Sequence, residues 1–179
     1  MKVICFGDSN TFGHDPRSYF GGRYEEPWPK VLEALSGWTV VNQGQNGRQI
    51  PKEAIAFPED TDLLVIMLGT NDVLQGNFPE TVGQRMEHFL AALSVESQNI
   101  LLIAPPVMKL GSWVPEQGLI DRSEALAEEY EKLSQRLGVA FADSGKWDIP
   151  LIFDGVHFDE EGHRTFAQMV YAYILEAFK

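Results

Sequence analysis

Apolar and polar positions follow one repeating order along this chain. It opens on Val3, Ile4, Cys5 and Phe6, breaks at Gly7, and turns polar at Asp8, Ser9 and Asn10. A short run of Val, Ile and Phe that stops at a glycine predicts a buried β-strand followed by a tight turn. The stretches 38–41, 63–68, 100–104 and 139–141 repeat that order, and each predicts a further strand. The run 63–68 is apolar at every position, as suits a strand covered on both faces.

Between the runs the period lengthens. Val31, Leu32 and Leu35 mark one face of a helix over 29–36, closed by Gly37. Val82, Met86, Phe89, Leu90 and Leu93 recur at helical spacing after Pro79. Leu126, Tyr130, Leu133 and Leu137 do the same behind Asp121 and Glu124, whose spacing resembles a capping pair. A last helix starts near Asp159 and buries Phe166, Met169, Val170, Tyr173 and Ile174. The segment 50–57, with Pro51 in its first turn, reads as a short helix.

Strands alternating with helices predict right-handed crossovers, hence an α/β fold with a five-stranded parallel sheet and helices on both faces. No repeat, low-complexity tract or Gly/Ser/Pro-rich linker divides the chain, so residues 1–179 read as a single domain. Loops are expected over 14–29 and 105–118. The second carries Met108, Leu110, Trp113 and Val114. These either wall a substrate site, cover a subunit contact in a homo-oligomer, or pack on the sheet's edge.

Composition narrows the partners. With 26 Asp and Glu against 14 Lys and Arg the formal net charge is −12. Such a surface repels phosphate backbones and anionic lipid, so neither nucleic acid nor a membrane is an expected partner. No apolar run approaches the roughly 18 residues of a membrane span. The one cysteine, Cys5, lies in the first strand and is expected as an inert core thiol; alone it forms no internal disulfide, which fits a reducing compartment. The chain starts at Met1 without a charged-then-apolar leader, so a cytoplasmic protein is expected.

Parallel strands bring their carboxyl ends to one edge of the sheet, where ligands bind in open α/β folds. The first strand delivers Ser9 to that edge, the second Gly44 and Gly47, the third Asn71, and the segment after the fifth Asp154 and His157. By itself Ser9 is either a helix cap or a nucleophile. A serine attacks at neutral pH when a base takes its proton, and a histidine with a pKa of about 6.5 suits that task. His157 is such a base. Asp154, three residues earlier and followed by Gly155, can bend back to the other ring nitrogen and fix the tautomer. A developing oxyanion needs donors held in place, such as a backbone N–H in a glycine turn or a side-chain amide. Gly47 and Asn71 are donors of those two kinds.

Gly7-Asp8-Ser9, Gly47, Gly69-Thr70-Asn71-Asp72 and Asp154-Gly155-Val156-His157 resemble the four blocks of the SGNH (GDSL) hydrolases, in the same order and over nearly the whole chain. The resemblance implies a flavodoxin-like three-layer α/β/α sandwich and ester hydrolysis through an acyl-enzyme, without metal or other cofactor. It puts Ser9 in the place of the nucleophile, His157 in that of the base and Asp154 in that of the orienting acid. The Ser9 N–H, the Gly47 N–H and the Asn71 side chain take the oxyanion positions. Gly47 matches the family glycine because it falls five residues after Asn42, and Gly44 then shapes the loop. Asn10 stands where the commoner form of the block has leucine.

The expected substrate is a small-molecule ester with a short acyl chain, of arylesterase or acetylesterase type, with water or another alcohol accepting the acyl group. Asn10, Asn46, Arg48 and Trp113 offer the polar and stacking contacts that a carbohydrate O-deacetylase would use. A non-catalytic flavodoxin-like binding domain would share the strand-end arrangement but leave Asp154 and His157 unexplained. Of the other polar residues, Asp8 is expected to hydrogen-bond within its turn and Asp72 to cap or brace its own loop. His163 is expected solvated or capping, since the triad already engages two of the four groups in a metal set of Asp154, His157, Asp159 and His163. Arg48 has a second reading, a salt bridge to a surface carboxylate. His14 and His88 find no partner in sequence.

Overall fold

The computed structural model describes residues 1–18 and 20–178; Tyr19, within the predicted loop 14–29, and Lys179 lie outside the described residues. Five strands, β1 (Lys2–Gly7), β2 (Thr39–Gly44), β3 (Leu63–Met67), β4 (Ile100–Ala104) and β5 (Ala140–Asp143), pair in parallel in the order β2-β1-β3-β4-β5. The helices are α1 (Ser9–Phe12), α2 (Trp28–Ser36), α3 (Thr70–Leu74), α4 (Pro79–Ala91), α5 (Gln117–Leu137) and α6 (Glu160–Ala177).

The period-two alternation of the strands sorts the core into two layers. Val3, Cys5, Val65, Met67, Leu101 and Ile103 pack on Trp28 and Leu32 of α2 and on Phe166, Val170 and Ile174 of α6. Ile4, Phe6, Leu64, Ile66 and Leu102 face the other way, onto Met86 and Phe89 of α4 and Leu126, Tyr130 and Leu133 of α5. Each large apolar side chain removed from water in this way contributes about 1.5–3 kcal/mol, which is why the sheet sits between two helical layers. Cys5 is fully buried, and burial holds its thiol well above the ordinary range, so it is the inert core thiol expected.

Two predicted elements are corrected. The segment 50–57 is not a helix. Ile50 and Phe57 are buried and Ile55 is partly buried on the core, the Phe57 ring edge-on to Phe6 at 5.3 Å. The Ile50 N–H donates to the Asp72 carboxylate at 3.0 Å, and Pro58 disfavours helical backbone at Phe57. Asp121 and Glu124 do not cap α5, which begins a turn earlier at Gln117; Asp121 instead accepts a hydrogen bond from the Gln117 side chain within the helix, at 2.8 Å. The buried stripes are also narrower than predicted, with Leu35 and Met169 exposed. Among the described residues no helix is long and apolar enough to cross a membrane.

The strand order places the site. The chain leaves β1 for β2 on one side and returns to β3 on the other, so the loops after β1 and β3 diverge at a topological switch point. Ser9 begins α1 after β1, and Asn71 lies in α3 after β3.

Candidate active site

The turn after β1 is built by Asp8, whose carboxylate accepts the Asn10 N–H at 3.0 Å and caps α1, as its turn reading anticipated. Ser9 is thereby fixed at the end of β1 with its Oγ 2.9 Å from His157 Nε2. His157 Nδ1 lies 2.6 Å from Asp154 Oδ2. All three residues are buried. The other oxygen of Asp154 accepts the N–H groups of Val156 and His157, each at 2.9 Å, so one carboxylate holds both its own turn and the ring. That turn needs Gly155: its φ is +82°, and a Cβ would fall 1.9 Å from the Lys109 carbonyl oxygen.

Burial pushes the Asp154 carboxyl up, but the hydrogen bonds from the His157 ring and from the His157 and Val156 N–H groups outweigh it and hold it below the ordinary carboxylate range. An ionised Asp154 keeps the proton on Nδ1 and leaves Nε2 free to accept one from Ser9. Asp8 behaves oppositely. It is fully buried with one side-chain hydrogen bond, and burial raises it to about 6 against the pull of the Asn10 N–H, His157 and Arg48.

Opposite the serine, Gly47 turns the chain after β2 with φ +70°, in open space. The Gly44 N–H donates to Asn42 Oδ1 at 2.8 Å, while those of Ser9 and Gly47 have no acceptor among the described residues. Asn71 Nδ2 donates to the Arg48 carbonyl at 3.1 Å, which orients the amide. Ser9, His14, Asn46, Gly47, Asn71, Trp113 and His157 line a cleft of about 200 Å³. A larger pocket of about 360 Å³, among Asp15, Arg17, Arg23 and Glu160, contains no nucleophile paired with a base.

Several sequence expectations are revised here. Asn10 does not face the cleft: it is 4% exposed, its Nδ2 donates to the Val156 carbonyl at 3.1 Å, and its Oδ1 accepts the Phe158 N–H at 3.0 Å. Arg48 meets neither substrate space nor a surface carboxylate. Its guanidinium donates to the carbonyls of Gly7, at 3.0 Å, and Gln43 and to Gln45 Oε1, at 2.9 Å, and lies over the Phe6 ring at 4.2 Å. Trp113 does line the cleft, half exposed, its ring 5.2 Å from that of His157. The Asp72 carboxylate neither caps α3 nor bonds within its own loop; it braces neighbouring segments, accepting from the Ile50 N–H and from Arg85 of α4, both at 3.0 Å.

His163 neither caps nor reaches solvent. It is fully buried between Tyr24 and Phe158, its Nδ1 accepts the Trp28 N–H at 3.2 Å, and burial lowers it to about 3. Asp159 caps α6 instead, through the Gly162 N–H at 2.7 Å. Among the described residues no three His, Cys, Asp or Glu side chains converge as metal ligands. His14 was missed: its ring lies 5.0 Å from that of His157, and burial, then the nearby His157, lowers its pKa. The one sequence signal for it was its place five residues after Ser9, whose carbonyl accepts the His14 N–H at 2.9 Å. His88 is exposed on α4, away from the site.

Comparison with known proteins follows the same lines. The model of the GDSL-like lipase/acylhydrolase family matches residues 5–165. A search of curated proteins returns no match. Among solved structures, a carbohydrate acetylesterase family member from Sinorhizobium meliloti is 25% identical, with a TM-score of 0.80 over 98% of each chain. A candidate arylesterase from Agrobacterium tumefaciens str. C58 is 30% identical, with a TM-score of 0.81 over 98% of this chain and 99% of that one. The M. smegmatis aryl esterase, at 22% identity and a TM-score of 0.82 over 98% of this chain and 99% of that one, shares the fold. With the family match spanning nearly all of a sequence whose polar blocks stand at the sheet's carboxyl edge, the chain belongs to the GDSL-like lipase/acylhydrolase family and is an ester hydrolase.

Proposed function

We propose that this ester hydrolase cleaves short-chain carboxylic esters through an acyl-enzyme on Ser9. The observation that carries the reading is the buried chain of contacts from Ser9 Oγ through His157 to Asp154, at the base of a cleft of about 200 Å³. His157 takes the Ser9 proton as Oγ attacks the ester carbonyl, and Asp154 holds the resulting imidazolium. The Ser9 and Gly47 N–H groups and the Asn71 amide receive the oxyanion. His157 then gives its proton to the leaving alcohol. Water, or a second alcohol in an acyl transfer, enters by the same base and releases the acyl group.

Cleft size supports the short acyl chain, because pockets for drug-sized ligands run to about 300–1,000 Å³. The exposed Trp113 at the mouth supports a second reading, in which an acetyl group enters the cleft and a sugar ring stacks on the indole. The S. meliloti relative described as a carbohydrate acetylesterase family member points the same way. Asn10 and Arg48, engaged elsewhere, do not contribute to it. A series of p-nitrophenyl esters from acetate to octanoate tests the reading: kcat/KM is expected to fall with chain length. A rise toward octanoate would refute the short-chain assignment, and comparison with acetylated sugars separates the two readings.

A further inference from the structure

Asn10 stands beside the nucleophile yet meets no substrate space, and its two bonds reach across 146 and 148 residues of sequence. Their targets, the Val156 carbonyl and the Phe158 N–H, flank His157 on either side. Among the described residues, these two bonds and the Ser9–His157 contact itself are the hydrogen bonds that join residues 8–10 to residues 154–158. Asp154 orients the ring within its own turn, and nothing in that turn sets the distance from the ring to Ser9. We infer that Asn10 is a positioning residue: its amide straps the histidine turn to the serine turn and sets the reach of His157 Nε2 to Ser9 Oγ. The inference rests on the proposed roles of Ser9 and His157.

The chemistry of the two targets selects the residue. One is a backbone acceptor and the other a backbone donor, about one amide width apart, so the side chain must donate from one end and accept at the other. Asparagine does both. Leucine does neither, and glutamine is a methylene too long for a site that is 4% exposed. An ionised aspartate accepts from Phe158 but faces the Val156 carbonyl with a second lone pair, whereas a protonated one restores both bonds. The strap lies on the reaction coordinate's geometry, where a displacement of about 1 Å costs on the order of 100-fold.

The test compares Asn10→Leu and Asn10→Asp with the wild type on p-nitrophenyl acetate, with Ser9→Ala as the reference for loss of the nucleophile. Asn10→Leu is expected to lose about 10- to 100-fold in kcat with KM within about twofold. The ratio of Asn10→Asp to wild-type kcat is expected to rise as pH is lowered from about 8 to about 5, while the buried carboxyl takes up its proton. An unchanged kcat in Asn10→Leu, or a raised KM at unchanged kcat, overturns the inference, the second by making Asn10 a substrate contact. If Asn10→Leu fails to fold, the aspartate ratio decides, and a ratio independent of pH overturns the inference. Activity persisting in Ser9→Ala would instead defeat the underlying reading of the site.

Discussion

The two walls of the cleft are made differently. On one side Ser9 and His157 line the cleft with Asn10 and Asp154 behind them; all four are buried, and their side chains are held by partners within the protein. On the other, Asn46 and Gly47 are exposed, the Gly47 N–H has no acceptor among the described residues, and the Asn71 amide makes one bond with one of its two hydrogens. On the proposed mechanism the first wall holds a proton path at fixed length before any substrate arrives, and the chain itself provides every partner. The second would, on the proposed mechanism, receive a charge that exists only during the reaction, with its donors oriented and left open. A hydrogen bond already made is unavailable to the transition state, and a donor left loose must be reorganised; each wall avoids the failure that matters to it.

Substitutions on the two walls sharpen this contrast. Asp154→Asn should cost on the order of 10⁴ in kcat, because the amide cannot hold the tautomer and the imidazolium together. Asn71→Ala should cost less, on the order of 10²–10³, since the Ser9 and Gly47 N–H groups remain. Both are measured as kcat on p-nitrophenyl acetate. An Asn71→Ala loss equal to that of Asp154→Asn would erase the distinction between the walls.

The buried turn behind the first wall has one uneasy member. Asp8 carries a single side-chain hydrogen bond against the three that Asp154 accepts, and its carboxyl is raised to about 6. The folded state therefore takes up this proton below about pH 6, while the unfolded chain waits until about 3.9. A raised folded pKa means the ionised group costs stability above pH 6, and that cost disappears as pH falls toward 4. Asp8→Asn, which still caps α1, should therefore be more stable than wild type at pH 7–8 by up to about 3 kcal/mol. The advantage should shrink as pH falls through about 6. Thermal melts of both proteins across that range measure it, and a constant difference would remove Asp8 as the source.

What could be read from sequence was whatever is local or periodic. Apolar runs marked all five strands, and the polar residues just past their ends marked Ser9, Asn71 and the Asp154–His157 turn, because a parallel sheet brings such ends together. The missed features depend on partners far along the chain. Nothing near Asn10 announces Val156 and Phe158, and nothing near Arg48 reveals that its guanidinium reaches back to the Gly7 carbonyl. His163 looked like a surface residue among Glu160, Glu161 and Arg164, yet it occupies the inner face of α6 beneath Trp28. The segment 50–57 misled because apolar residues that cover a core edge from an irregular backbone can show nearly the spacing of a helical face. Asp121 and Glu124 carried the pattern of a cap one turn inside the helix that Gln117 begins.

The most direct test of the account is to quench the enzyme during turnover of p-nitrophenyl acetate and map the acyl adduct by mass spectrometry. The account predicts one acetyl group per chain, on the peptide that contains Ser9, and neither adduct nor turnover in folded Ser9→Ala. An adduct on another residue, or turnover that persists in Ser9→Ala, would contradict it.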